Sequence, residues 1–177
     1  MSQVFEEVKE KADYGAVINQ HLMRIVAVRS VIFRTGSRTV VDNVADYLYA
    51  VESLYSILLP DLRGDSREYL DLGFQMLRVV SDWFNAKTSC EQREMIPRIN
   101  PCSDAEWDEV KRLEDRIAEF VEGLPTDLRE RMTRLPYYNY YHRGIVMLAD
   151  KALEEMLVRL NEAGLLMRGT PVRVGKF

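Results

Sequence analysis

Four arginines, Arg24, Arg29, Arg34 and Arg38, lie within residues 14–41, a stretch of 28 residues without one aspartate or glutamate. A guanidinium is planar, offers its N–H donors as a fork and stays charged at any physiological pH, so it binds phosphate oxygens in pairs. Arg168, Arg173 and Lys176 form a second cationic group in an acid-free run near the other end of the sequence. These seven residues are the candidates for contact with a nucleic acid backbone, a contact that is blind to base sequence and weakened by salt. Five-residue steps rotate a helix by about 500°, so Arg24, Arg29 and Arg34 fall on three of its sides. A second reading is therefore open: a buried helix whose arginines reach outward on their aliphatic stems and pair with the chain's own carboxylates.

The densest aromatic group is Tyr137–Arg143, YYNYYHR. Tyrosines stack on bases, and they are also enriched at packed interfaces. Four tyrosines within five residues point around the whole helix, so core plus interface is the expectation. Tyr137, Tyr138 and Tyr141 join Tyr69, Leu72, Met76 and Trp83 as interface candidates. Cys90 and Cys102 bracket a Pro-containing segment and could close a loop. In a reducing cytosol two free thiols are expected; in a hyperthermophile, a bridge. No metal site is expected, because no second cysteine pair or nearby histidine completes four ligands. The two histidines, His21 and His142, stand in no Glu-x-x-His pair, which removes the ligands of a carboxylate-bridged di-iron bundle. The glycines are too scattered for a phosphate loop, and there is no Gly-x-Ser-x-Gly elbow. Arg134 and His142 have seven residues between them, Pro136 among these, unlike the closely spaced pair of the helical HEPN ribonucleases. No enzyme, cofactor or small-molecule substrate is expected.

Helices must carry all of this. Apolar spacing supports a long helix from about Val4 to Phe33, ended near Gly36, and a second from Val40 to Leu59, ended by Pro60. Asp65 caps a third, from Ser66 to about Ala86. There Glu68, Asp71, Gln75, Arg78, Asp82 and Asn85 make one narrow polar stripe on an otherwise apolar helix, as befits a central element or one shared with a partner. Residues 87–102 read as irregular. Ser103 and Glu106 form a capping box for a helix through Glu122, closed by Gly123. A short helix over Thr126–Leu135 and a last one from Pro136 to Glu162, stopped by Gly164, complete the set. The expected class is all-α, a helical bundle of about five helices with a long basic N-terminal helix. It is read as a single domain over 1–177: an arm over 1–38, a bundle over 39–164 and a basic tail over 165–177.

The 177 residues carry a net charge of −4, unevenly spread: 1–13 sum to −2, 14–41 to +4 and 42–177 to −6. There is no membrane-spanning run and no signal-peptide pattern at Met1–Glu10, so a cytoplasmic or virion location is expected, neither secreted nor membrane-spanning. Arginine outnumbers lysine 18 to 6, a bias compatible with a hyperthermophile source. The segment LEEMLVRLNEAGLLMRGTPVRV resembles the recognition helix and wing of winged-helix regulators, but Asp150, Glu154, Glu155 and Glu162 on that helix would be repelled by a phosphate-lined groove. In size, helical content, basic N-terminal helix and apolar-rich central helix the chain resembles the α-helical capsid proteins of filamentous archaeal viruses. That resemblance rests on no motif, and the net negative charge departs from it. It implies a non-enzymatic structural protein that self-associates, as a homo- or hetero-oligomer, and contacts double-stranded DNA. A helical adaptor or regulatory subunit that binds another protein is the alternative.

Overall fold

The computed structural model describes residues 2–32, 40–96, 100–134, 137–167, 170 and 174. Six α-helices are present and no strand among the described residues, an all-α helical bundle. They are α1 (Ser2–Ile32), α2 (Val40–Ile57), α3 (Ser66–Met95), α4 (Asp104–Glu122), α5 (Thr126–Thr133) and α6 (Tyr137–Glu162), with a 3₁₀ turn at Pro60–Leu62. The short α5 takes the number to six. The chain clusters into two compact units, 1–73 with 146–177, and 74–145.

In the first unit α1 packs along α2. Its core includes Ile18 and Ile25 from α1, Tyr47, Leu48, Val51 and Leu54 from α2, and Leu148, Ala152, Met156 and Leu160 from α6. Gly73 lets helices come close: a Cβ there would lie 3.0 Å from Leu48 Cδ1. Ser66 at the start of α3 is fully buried and donates its hydroxyl to the Ala152 carbonyl at 2.7 Å. α6 ends at Gly164, whose φ of +68° is a left-handed conformation that suits glycine. The Leu165 N–H then turns back to the Leu160 carbonyl.

The second unit is assembled around Trp83, Val110, Leu113, Ile117, Leu128, Met132, Tyr141 and Ile145. Trp83 meets Tyr141 edge to face with centroids 4.6 Å apart, and its indole N–H donates to Glu114 at 3.1 Å. The capping box forms as expected, Ser103 accepting from the Glu106 N–H while the Glu106 carboxylate accepts from the Ser103 N–H. The irregular segment expected over 87–102 is a correction: α3 continues to Met95. Lys87 and Glu91 to Met95 are sound helix formers, Cys90 is buried against the core, and only the residue preceding a proline is steered out of the helical region. Cys90 and Cys102 are joined as a disulfide across a separation of 12 residues, with Cα atoms 5.3 Å apart. Arg93 ties down the same stretch, donating to the carbonyls of Asn100 and Pro101 and pairing with Glu106 at 3.0 Å.

Candidate interaction face on helix α1

α1 has two faces of opposite character. On the inner face, Ile18 and Ile25 are buried, and the Tyr14 hydroxyl donates to the Ile57 carbonyl at 3.2 Å while accepting from the Leu59 N–H at 3.1 Å. Below them Arg29 grips Asp150 of α6 with both arms of its fork, Nε to Oδ1 at 2.9 Å and Nη2 to Oδ2 at 2.8 Å. The buried Tyr47 hydroxyl donates to the same Oδ1.

The electrostatics of this cluster follow from its burial. Leaving water disfavours the charged carboxylate and raises the Asp150 pKa, an effect opposed by hydrogen bonds from Arg29 and Tyr47. Burial acts to lower the Arg29 pKa, but the Asp150 bonds and charge outweigh it and the net direction is upward. Tyr47 is pushed well above the ordinary tyrosine range, by burial first and the Asp150 charge second. The arrangement is a neutral phenol and a bidentate ion pair, a joint between helices with its polar atoms mutually satisfied.

Arg29 is thereby withdrawn from the cationic set: its guanidinium is spent inside the chain. Arg24 is exposed. Arg34, Arg38, Arg168, Arg173 and Lys176 lie outside the described residues, as does most of the segment PVRV read as a wing. Of the interface candidates, Met76, Trp83 and Tyr141 are buried, and Tyr69 and Leu72 are half-buried. Tyr137 and Tyr138 begin α6, with side chains outside the description. The helix proposed to read a DNA groove is itself a core element: Ile145 to Asp150 are buried without interruption. Among the described residues no three His, Cys, Asp or Glu side chains gather into a metal cage, and no helix is long and apolar enough to cross a membrane.

The outer face of α1 is what the sequence reading missed. Ala12, Ala16, Asn19, Met23, Val26 and Ser30 follow one another at steps of 4, 3, 4, 3 and 4, and none is buried. Met23 is 66% exposed and Val26 67%. Alternating steps of four and three residues are the spacing of a coiled-coil seam. Two alanines, an asparagine and a serine hold four of its six places, so no apolar pattern announces it. The signal was the absence of charge at every step. The first half of the seam lines an open groove of about 510 Å³, in which Lys11, Ala12, Gly15, Ala16 and Asn19 face Gly164, Leu165, Leu166 and Met167 of the same chain. No family model matches the chain, no curated protein matches its sequence, and no solved structure matches its fold.

Proposed function

We propose that this chain is a non-enzymatic assembly protein, a helical subunit that works by binding protein through the outer face of α1. The observation that supports this reading is the uncharged seam from Ala12 to Ser30, with Met23 and Val26 two-thirds exposed on a helix whose opposite face is fixed by Ile18, Ile25 and the Arg29–Asp150 pair. Large apolar side chains aligned on one exposed helix face mark an interaction surface more often than scattered ones do. The seam lacks what a reaction needs: no nucleophile, base or acid stands on it apart from the Ser30 hydroxyl, which donates to the Ala27 carbonyl of its own helix.

The test is to isolate the tagged chain from its native source, as wild type and as Met23→Glu/Val26→Glu. The reading expects the wild type to elute in a complex and the double variant to elute free, with unchanged helix content. A variant that keeps its complex overturns the reading.

Nucleic acid backbone contact is a second reading, favoured by the exposure of Arg24 within the acid-free stretch. It now rests on Arg24 with Arg34, Arg38, Arg168, Arg173 and Lys176. A gel shift on duplex DNA at about 50 and 200 mM salt tests it: binding that falls steeply with salt and is lost on charge reversal of Arg24, Arg34 and Arg38 supports it. Absence of any shift at the lower salt overturns it.

A further inference from the structure

We infer that the Cys90–Cys102 bridge is shielded from thiol exchange for as long as the second unit is folded, with Arg93 as its guard. The bridge is then a lasting fixture even among reducing thiols, and not a redox switch. This property is independent of what α1 binds.

A thiolate could open the bridge from either end, and each end presents its own obstacle. Exchange proceeds by attack on one sulfur: a new S–S bond forms there, while the old bonding pair leaves with the other sulfur as a thiolate. Attack on Cys102, which is half-buried, expels Cys90. Cys90 is 3% exposed, so its thiolate would form out of water, where an unpaired charge is costly. Attack on Cys90 would expel Cys102 into partial contact with water, but the sulfur to be struck is inside the fold. The accessible sulfur thus has the poor leaving group, and the better leaving group stands behind the enclosed one.

The backbone on both sides of Cys102 is also tied down. Arg93 donates from Nε to the Asn100 carbonyl at 2.6 Å and from Nη2 to the Pro101 carbonyl at 3.3 Å. Its Nη1 pairs with Glu106 at 3.0 Å, and the Glu106 carboxylate accepts from the Ser103 N–H at 2.8 Å. Residues 100, 101 and 103 therefore hang from one Arg93–Glu106 pair, which keeps Cys102 beside Cys90. A thiol that did join Cys102 would face the Cys90 thiolate at an effective concentration of roughly millimolar or more. Attack by Cys90 on the mixed disulfide re-forms the bridge and returns the thiol. Lasting reduction needs the segment to swing away, and the strap opposes that. In the unfolded chain both sulfurs reach water, so reductant registers in a melt and not at rest.

The test is the rate at which reduced glutathione, at about 5 mM, opens the bridge, followed by alkylating the freed thiols and weighing the chain. The folded wild type is expected to react roughly a hundredfold or more slowly than the same chain unfolded in urea. Folded Arg93→Ala is expected to react at least about tenfold faster than the folded wild type. That gain must exceed the factor accounted for by the variant's own loss of global stability, measured by urea unfolding of the oxidised proteins, which separates a local guard from a general weakening. A folded wild type that reacts within about tenfold of the unfolded chain overturns the shielding. An Arg93→Ala variant reduced no faster than its global stability explains overturns the role given to Arg93.

Discussion

The two units of this chain are held by opposite means. In the first, the long α1 is joined to its neighbours by a buried polar cluster, Arg29, Tyr47 and Asp150. In the second, the loop between α3 and α4 is closed covalently by Cys90–Cys102 and finished with a capping box and the Arg93 strap. The polar cluster acts in the folded state, where its worth depends on charge and pH. The disulfide acts largely by shortening the unfolded chain, so its worth depends on oxidation and hardly on pH. One molecule thus carries a joint that responds to protons and another that responds to reductant.

Breaking the first joint is expected to cost most. Arg29→Met leaves Asp150 buried without its cation, a loss of about 3–5 kcal/mol near neutral pH by analogy with other broken buried pairs. The sign of its pH dependence is fixed by the upward direction of the Asp150 pKa. An acid whose folded pKa is raised contributes stability at low pH that is lost as pH climbs through that value. Removing Arg29 raises it further, so the deficit should shrink as pH falls toward 4. Urea unfolding of both proteins at pH 4.5 and 7.5 measures this, and an equal deficit at the two values would show that Asp150 does not respond as described.

The second joint is tested by Cys90→Ser/Cys102→Ser, expected to lower stability by about 3 kcal/mol for a loop of this length. Reductant should lower the wild type to the same level and leave the double serine variant where it is. Thermal melts with and without reductant separate the two joints cleanly, since Arg29→Met keeps its response to reductant.

Tyr47→Phe sharpens the comparison with a smaller effect. It removes one buried hydroxyl donor to Asp150, a loss of about 1–2 kcal/mol. The Tyr47 pKa is raised in the folded state, so the native phenol stays neutral after its unfolded counterpart has ionised above about pH 10. Wild-type stability should therefore fall with pH above about 10 more steeply than that of the variant. Parallel slopes would mean that the phenol reaches water.

How far this was legible in the sequence depended on the kind of signal. Repeating patterns were read well: all eight positions assigned inward on the last helix, from Ile145 to Leu160, are buried, and all six residues of the polar stripe on α3 are exposed. Local chemistry was read equally well at Ser103 and Gly164. What the sequence did not supply was the identity of a distant partner: the reading in which arginines of the first helix pair with the chain's own carboxylates holds for Arg29, without its partner having been named. Asp150 counted as a surface acid because aspartate between apolar residues looks like an exposed point on a helix, and nothing near it reveals an arginine 121 positions away. The α1 seam was invisible for a different reason, being written in alanine, asparagine and serine. The end of α3 was placed too early because Pro97 and Pro101 were taken to break the whole polar run, whereas no breaker stands between Ala86 and Met95.

The Arg29–Asp150 joint also fixes where α1 sits along its own axis. Ile18 and Ile25 are seven residues apart on one line of the helix, and hydrocarbon contact by itself is tolerant of sliding by that interval. A buried carboxylate held by Arg29 and Tyr47 is not, because any other placement would strand it in a medium that cannot solvate it. The pair behaves as a key cut for a single notch, trading some adhesive strength for the certainty that the helix stops in one place.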